Sequence, residues 1–467
     1  MRQTKAPFPP MPPCCTGEDR FRFLNEERLF TTWNDPECNR LWLYNLHYFD
    51  WLRQEGMTRE DGDSWIAKWI AENPAPAGCG WEPYPLSLRI VNWVKWHMSG
   101  HPLSDEAKQS LAVQVRFLMR RLEYHLLANH LIANAKALVF AGCSFSGPEA
   151  EKWLAKGLEI YRQQLPEQIL ADGGHFERSP MYHSIILEDL LDLKNIGAPL
   201  DSDGYISRML HWLAVMTGPD GEISFFNDAA RGIALSPEKT QRYAQSLGFG
   251  PERIAASEDL PSSGYSRLQQ GDAVCLCDTG EIGPAYQPGH VHADALSFEL
   301  WLKGKKVLTN CGTGRYHNST ERAFQRSSAA HNTLSIDGQN SSEVWSAHRV
   351  ARRGKLLARS MEQNRCSGTF RTWKGMVCTR TWEMMEDGRL MIRVHVHGRG
   401  QHELALYFHE PEAPQLEITS DPAGEIQTGS GIFSPEFGIF EKSALTKEVY
   451  GFCDEINIQT IITERKK

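Results

Sequence analysis

The sequence lacks a paired cysteine framework, an excess of basic residues and any long apolar run. Its 11 cysteines are an odd number without C-x-x-C spacing, which predicts reduced thiols. The net charge of −8 gives no electrostatic support for nucleic-acid binding. The proline-rich start has no apolar signal region, and no segment suits a membrane span. We therefore expect a cytoplasmic protein without nucleic-acid or membrane partners, or a periplasmic one if the N-terminus is truncated.

The length and the change of pattern along the chain predict more than one domain. A chain of 467 residues exceeds one typical domain. We expect a disordered lead over residues 1–20, a helical domain over 21–258 and a strand-rich domain over 259–467. Of the 14 tryptophans, eight precede residue 100, and we expect most of them to fill a helical core rather than to bind sugars.

Apolar residues recur at spacings of three and four through the first half, which indicates helical hairpins. After residue 260 they alternate, and dipeptides such as Lys303-Gly304 and Asp337-Gly338 separate the runs. This pattern is typical of an antiparallel β-sandwich. The helical segments are expected at 41–52, 86–96, 111–127, 131–141, 153–165, 184–196 and 205–216.

Three histidines lie beside predicted strands in the second half. His290 and His292 are two residues apart before an alternating run, and His331 precedes another apolar run. Imidazoles on one strand face suit metal ligation, or one ligand beside one proton carrier. The alternative is that they are ordinary surface histidines, of which the chain has 17 in all.

Polar residues also interrupt the helical half. Asn129 and His130 stand among leucines, so they are either core hydrogen bonders or part of a site. Ser179-Pro180 predicts a helix start, which places Tyr182 and His183 in its first turn, where the helix dipole favours negative charge. Candidate substrate contacts nearby and in a later polar loop are Glu177, Arg178, His183, Asn227 and Arg231.

Four segments occur in a specific order: Asn-His-Leu-Ile-Ala-Asn-Ala-Lys, Gly-Gly-His-Phe-Glu-Arg-Ser-Pro-Met-Tyr-His, His-Val-His-Ala-Asp-Ala-Leu-Ser-Phe and Ala-Ala-His-Asn-Thr-Leu. From about residue 40 to 350 the chain resembles the heparinase II/III-like polysaccharide lyases, which include alginate lyases of similar architecture. The resemblance implies an α+β fold, with an N-terminal incomplete α/α toroid followed by a C-terminal antiparallel β-sandwich. It also implies cleavage of an acidic polysaccharide at uronic acids by β-elimination.

The resemblance assigns roles by motif. Asn129 and His130 would neutralise the uronate carboxylate, with His130 a possible base. Tyr182 would be the catalytic tyrosine, and His290 the histidine that the sandwich directs into the cleft. His292 and His331 would be two ligands of a structural zinc. The third ligand, usually an aspartate, falls at Asn310, which is a poorer ligand; Cys311 and Asp294 are conceivable substitutes.

Three other functions stay open on the residues alone. A glycoside hydrolase needs two placed carboxylates, for which Glu177, Asp220 and Asp228 are the candidates. A metal-dependent hydrolase could use His290, His292 and Asp294, with His331 as a further ligand. A non-catalytic or biosynthesis-associated polysaccharide-binding protein could use the same scaffold.

Overall fold

The computed structural model describes residues 4–17, 19–412 and 415–465. It divides into two compact units. The first unit contains Met1–Gln168, Ile186–Ile206 and Lys239–Pro251, and the second contains the remaining segments, ending with Glu252–Lys467. No helix in the described residues has the length and apolarity needed to cross a membrane.

The α-helices dominate the first unit. Several begin with the side-chain caps that helix starts favour: Thr58 accepts from the Asp61 N–H, and Ser104 accepts from the Ala107 N–H, both at 3.1 Å. The helices of the described residues are α1 (Arg40–Tyr48), α2 (Arg59–Glu72), α3 (Pro83–Met98), α4 (Asp105–Leu118), α5 (Ala128–Ser144), α6 (Pro148–Gln168), α7 (Pro180–Asn195), α8 (Asp203–Met216), α9 (Pro237–Ser246) and α10 (Thr320–Gln325).

Two parts of this half differ from the helical pattern that the sequence predicts. The strands Arg20–Phe23 and Glu26–Leu29 pair as a hairpin, because Phe21 and Phe23 are buried while Arg20 and Arg22 are exposed, a period of two. The helix expected to continue to Leu127 ends at Leu118. The predicted disordered lead contains the strand Cys15–Gly17; its residues 1–3 and 18 lie outside the described residues.

The early tryptophans fill the core of the first unit. Trp33, Trp51, Trp69 and Trp93 are each no more than 1% exposed. These rings pack edge to face against aromatic neighbours; the centroids of Trp69 and Trp93, for example, are 5.7 Å apart. The prediction that most of these side chains build the core is confirmed.

The second unit contains the larger antiparallel sheets. One has five strands in sequence order, and the other has eight, in which the two longest strands, Leu390–Glu410 and Glu441–Glu464, lie side by side. Between Phe298–Leu302 and Lys305–Leu308, Lys303 and Gly304 both have positive φ, as a two-residue hairpin turn requires. The other strands of this unit are Glu258–Leu260, Tyr265–Gln270, Ala273–Asp278, Leu334–Ile336, Glu343–Trp345, Arg349–Ala351, Lys355–Glu362, Arg365–Arg371, Val377–Met384, Leu416–Asp421 and Glu425–Phe433.

One hydrophobic core joins the five-stranded and eight-stranded sheets. It contains Phe298 and Leu300 from the first sheet and Trp382, Ile392 and Leu404 from the second, all 1% exposed or less. Side chains of two sheets that share one core define a sandwich. The loops before Phe298 and before Leu334 carry the histidines that the sequence singles out.

Candidate functional site

In the second unit, the start of α7 fixes Tyr182. Ser179 caps the helix, and its Oγ accepts the Tyr182 N–H at 3.2 Å, as Ser-Pro predicts. The same hydroxyl donates to the backbone carbonyl of Asp228. Because its cap is tied to a second loop, the tyrosine has a defined position at the helix start.

Tyr182 lies against His290 and Tyr316. Its ring stacks on His290, with centroids 3.8 Å apart and planes 16° apart. Its hydroxyl lies 3.0 Å from the Tyr316 hydroxyl. His290 Nδ1 bonds to the Glu177 carboxylate, which is 1% exposed. These four side chains, which we call the tyrosine–histidine centre, hold a phenol between an oriented imidazole and a second phenol.

Burial and the Asp228 charge raise the pKa of the Tyr316 phenol well above its usual value. Tyr316 therefore stays protonated at neutral pH and can donate to the Tyr182 oxygen. A donated hydrogen bond favours the ionised form of its acceptor. Either hydroxyl of the pair can donate, so this effect reaches Tyr182 only when Tyr316 is the donor, and Tyr182 is then closer to the form that a tyrosine base needs.

Asp228 links several of these loops. Arg322 donates to both of its carboxylate oxygens, with one N–O distance of 2.8 Å. His292 Nε2 lies 2.8 Å from Oδ1, and the Thr313 hydroxyl donates to the same oxygen at 3.2 Å. Although burial alone would raise the pKa of this carboxyl, Arg322 and His292 hold it well below its usual range. A carboxylate so firmly ionised is not suited to act as a general acid.

This arrangement also bears on the hydrolase alternatives. Of the three carboxylates considered for hydrolysis, Asp228 is bound to Arg322, Glu177 to His290, and Asp220 accepts the Glu222 N–H in an exposed turn. Glycoside hydrolysis requires one carboxylic acid with a raised pKa opposite a second carboxylate. The geometry of these three groups does not favour that chemistry.

His292 and His331 approach each other closely. His292 Nδ1 lies 3.1 Å from His331 Nε2, a separation that suits two ligands of one tetrahedral zinc. Asn310 does not join them through its oxygen, which accepts the Asn332 N–H at 3.1 Å. Within residues 4–17, 19–412 and 415–465, no carboxylate or thiol completes this pair into a three-ligand set. The predicted zinc ligands therefore fit for two positions and not for the third.

The substitute ligands have other contacts. The Asp294 carboxylate accepts the Asn227 N–H at 3.2 Å, and burial raises its pKa. Burial also raises the pKa of the Cys311 thiol, whose sulfur donates to the Gly312 carbonyl at 3.2 Å. Neither group is presented as a free anionic ligand.

A different group could hold a metal ion. Asp228, His290 and His348 each offer one ligand atom, and these atoms lie within 4.8 Å of one another. The Asp228 oxygens, however, are already bonded to Arg322 and His292. This group therefore has little remaining ligand capacity at its carboxylate.

The predicted substrate contacts have separate surroundings. Arg178 donates to the Glu281 carbonyl, and the Arg231 Nε is buried without a partner among the described residues. Asn227 is 5% exposed and links two loops, because its amide donates to the Arg178 carbonyl at 3.1 Å and its oxygen accepts the His292 N–H at 3.1 Å. Asn227 thus supports the position of His292.

The location of His183 corrects its predicted role. It is 1% exposed, its Nε2 donates to the Met209 carbonyl at 3.0 Å, and its Nδ1 accepts the His175 N–H at 3.4 Å. Its ring stacks on Trp212 at 4.2 Å, and burial lowers its pKa to about 3. With both nitrogens bonded to backbone, His183 is a neutral core residue and has no atom available to a substrate.

In the first unit, Asn129 and His130 occupy the first turn of α5. His130 Nδ1 lies 3.1 Å from a carboxylate oxygen of Glu123, and its ring lies 4.6 Å from that of Tyr84. Asn134 is fully buried and donates to the other Glu123 oxygen at 3.0 Å. Asn134 is therefore a core residue that positions Glu123, whereas the His130 side chain remains 34% exposed.

Three residues in or next to the tyrosine–histidine centre carry little signal in the sequence. Tyr316 follows a glycine-rich stretch without periodicity, and His348 lies in a hairpin turn. Arg322 carries a weak signal, since Ser319 predicts the cap of a short helix that contains Arg322 and ends just before Arg326. No spacing rule connects these positions to Tyr182, because the contacts depend on loops distant in the sequence.

Comparison with known families gives two adjacent matches. Residues 39–251 match the heparinase II/III N-terminus, and residues 252–465 match the heparinase II/III-like C-terminal region. A solved structure of heparinase III superposes with a TM-score of 0.73 at 18% identity, covering 93% of this chain and 79% of that one. The predicted fold, an incomplete helical toroid followed by an antiparallel β-sandwich, is confirmed.

Two curated relatives have different names. FtsZ-localized protein C of Caulobacter vibrioides is 26% identical over 73% of this chain and 60% of its own length. A heparin-sulfate lyase of Bacteroides stercoris is 24% identical over 66% of this chain and 51% of its own. The chain thus spans about half to three fifths of the length of these relatives.

Proposed function

Because the chain belongs to the heparinase II/III family, we propose that it is a polysaccharide lyase that cleaves uronic-acid-containing glycans by β-elimination. The tyrosine–histidine centre carries the proposal. It places the Tyr182 phenol, whose hydroxyl lies 3.0 Å from that of Tyr316, against an imidazole whose Nδ1 is bonded to Glu177. The substrate is proposed to be an acidic polysaccharide, as the name of the heparin-sulfate lyase relative suggests.

The elimination needs three tasks. A base removes the proton at C5 of the uronate, and the electron pair forms the C4–C5 double bond as the C4–oxygen bond breaks. An acid protonates the departing oxygen, and neutral or cationic donors stabilise the charge on the carboxylate. We assign the base or acid to Tyr182 and His130, and carboxylate stabilisation to Asn129 with His130 or His290.

The decisive assay measures the ultraviolet absorbance of the conjugated double bond, which elimination creates and hydrolysis does not. We expect absorbance to rise with alginate, heparan sulfate, hyaluronan or a bacterial capsule, and Tyr182→Phe to lower kcat by about 10²–10⁴-fold, the usual contribution of an acid or base. Tyr407→Phe is the matched control, since Tyr407 bonds to Ser335 elsewhere in the second unit. Absence of absorbance with every uronate polymer at any pH contradicts the proposal.

A second candidate is a non-catalytic or biosynthesis-associated polysaccharide-binding protein. It is favoured by the similarity to a relative that is named for its localisation with FtsZ rather than for an enzymatic reaction. This candidate predicts retained binding of an acidic oligosaccharide without formation of an unsaturated product. The same assay therefore separates the two candidates.

Zinc is proposed only as a weakly held structural ion at His292 and His331. The two imidazoles would supply nitrogen ligands, but Asn310 offers a neutral amide where an aspartate would bind better, and no step of the reaction is assigned to the metal. We expect substoichiometric zinc in the purified protein and a higher zinc content in Asn310→Asp, measured by elemental analysis. Equal, full zinc content in both proteins contradicts weak binding. The predicted cytoplasmic location and the domain boundaries stay predictions.

A further inference from the structure

A hairpin turn of the second unit is held at its backbone by two buried arginines. The turn joins strands Glu343–Trp345 and Arg349–Ala351. Arg326 donates to the carbonyls of Trp345 at 3.3 Å and Ser346 at 2.7 Å, and Arg322 donates twice to that of Ala347, at 3.1 and 2.8 Å. Both arginines are 1% exposed. Consecutive carbonyls of the turn therefore have charge-assisted bonds, which are stronger than neutral ones.

The same arginines also bind groups next to the tyrosine–histidine centre. Arg322 binds the Asp228 carboxylate, and Arg326 binds the Val291 carbonyl at 3.1 and 2.9 Å, one residue from His290. Ser346 has a φ of 54°, a left-handed conformation that persists in a non-glycine residue when the surroundings over-determine it. The turn is therefore fixed relative to His290.

The turn carries two large exposed side chains, Trp345 and His348. His348 Nδ1 must donate to the Gly289 carbonyl, 3.2 Å away, so that Nε2 of the neutral ring is an acceptor. The His348 ring lies 5.1 Å from Tyr316 and 6.2 Å from His290. Trp345 is 56% exposed, which is unusual for so large an apolar side chain.

We propose that residues 345–348 form a saccharide subsite beside the tyrosine–histidine centre, which binds one pyranose ring of the acidic substrate chain. The Trp345 face stacks on the ring, and His348 Nε2 accepts a hydrogen bond from a ring hydroxyl. An aromatic face beside a fixed acceptor suits a pyranose, which combines apolar C–H faces with hydroxyl edges. This subsite rests on the proposed function, because a sugar chain must reach the centre.

Kinetics on the full chain test the subsite. We expect Trp345→Ala and His348→Ala to raise KM about tenfold each, or ~1.4 kcal/mol, with kcat changed much less. Trp345→Phe and His348→Gln should recover most of the loss, because they restore an aromatic face and an acceptor. Leu357→Ala and His395→Ala are matched controls, since both residues are exposed on other strands of this unit. An unchanged KM in both alanine variants overturns the proposal.

A binding experiment separates this subsite from the lyase activity. In Tyr182→Phe protein, tetrasaccharides of alginate and heparan sulfate are titrated while the imidazole C–H resonance of His348 is followed by NMR. A shift of that resonance, with affinity reduced about tenfold by Trp345→Ala, supports the subsite even if no lyase product forms. Equal affinity with and without Trp345→Ala overturns it, as does failure of both tetrasaccharides to bind.

Discussion

At the scale of single residues, the proposed role of Tyr182 as a base depends on its neighbour Tyr316. A tyrosine with an ordinary pKa near ~10 is protonated at neutral pH and a poor base. Tyr316 keeps its own proton because burial and Asp228 raise its pKa, so its hydroxyl can donate across the 3.0 Å to the Tyr182 oxygen. The proposed base role of Tyr182 therefore requires that Tyr316 be the donor of this pair.

Tyr316→Phe tests this requirement. If Tyr182 is the base and accepts a hydrogen bond from Tyr316, losing that bond disfavours the ionised form of Tyr182. The acidic limb of kcat/KM against pH should then move to higher pH, by about one pH unit for a bond worth about 1.4 kcal/mol, with a smaller change at the alkaline plateau. Tyr407→Phe should leave the profile in place. An unmoved limb in Tyr316→Phe would separate Tyr316 from the ionisation of Tyr182.

At the scale of elements, the sequence patterns predicted helix starts and turns, because adjacent residues determine these features. The Ser179-Pro180 helix start and the Lys303-Gly304 hairpin turn follow from capping and from positive φ, both properties of adjacent residues. The strand entry expected at His290–His292 is wrong. Those residues lie in a loop, and the strand begins at Phe298, because Asn227 binds the His292 N–H that a ladder would otherwise use.

Contacts between distant loops were beyond such patterns. His292 and His331 could be paired through the family resemblance, and the structure brings them together. Tyr316, Arg322 and His348 could not, because each bonds to a partner far away in the sequence. The partners are Tyr182 for Tyr316, Asp228 for Arg322 and Gly289 for His348, and the shortest of these separations is 59 residues. The burial of an arginine can be predicted only when its acceptors are known, since a buried guanidinium must be compensated by paired acceptors.

At the scale of the whole molecule, both units contain histidines that must stay neutral. His47 in the first unit donates to the Trp33 carbonyl at 2.9 Å and accepts the Trp69 indole N–H at 3.0 Å. Burial, with Arg89 nearby, lowers its pKa from 6.5 to about 3. Burial likewise lowers the pKa of His183 in the second unit to about 3.

These histidines give stability that depends on pH in a defined direction. Their folded pKa lies below the unfolded value, so the unfolded chain binds more protons at mildly acidic pH. The contribution is fully present above pH 6.5 and is lost as pH falls towards 3. Lowering the pH from 7 to about 5.5 should reduce the free energy of unfolding by roughly 1.4 kcal/mol for each of these histidines. Buried Asp278, whose pKa burial raises, acts in the opposite direction, so total stability alone is not diagnostic.

The difference between wild type and His47→Gln isolates the effect. Glutamine cannot take up a proton, so the variant lacks the acid-dependent loss at this position. Denaturant unfolding at both pH values should show that the stability advantage of wild type over His47→Gln shrinks by roughly 1.4 kcal/mol at the lower pH. His395→Gln, at an exposed position, should show little change between the two pH values. A constant wild-type advantage would mean that His47 takes up its proton in the folded state as it does in the unfolded chain. Its two hydrogen bonds oppose this, because a protonated Nδ1 has no lone pair to accept the Trp69 N–H.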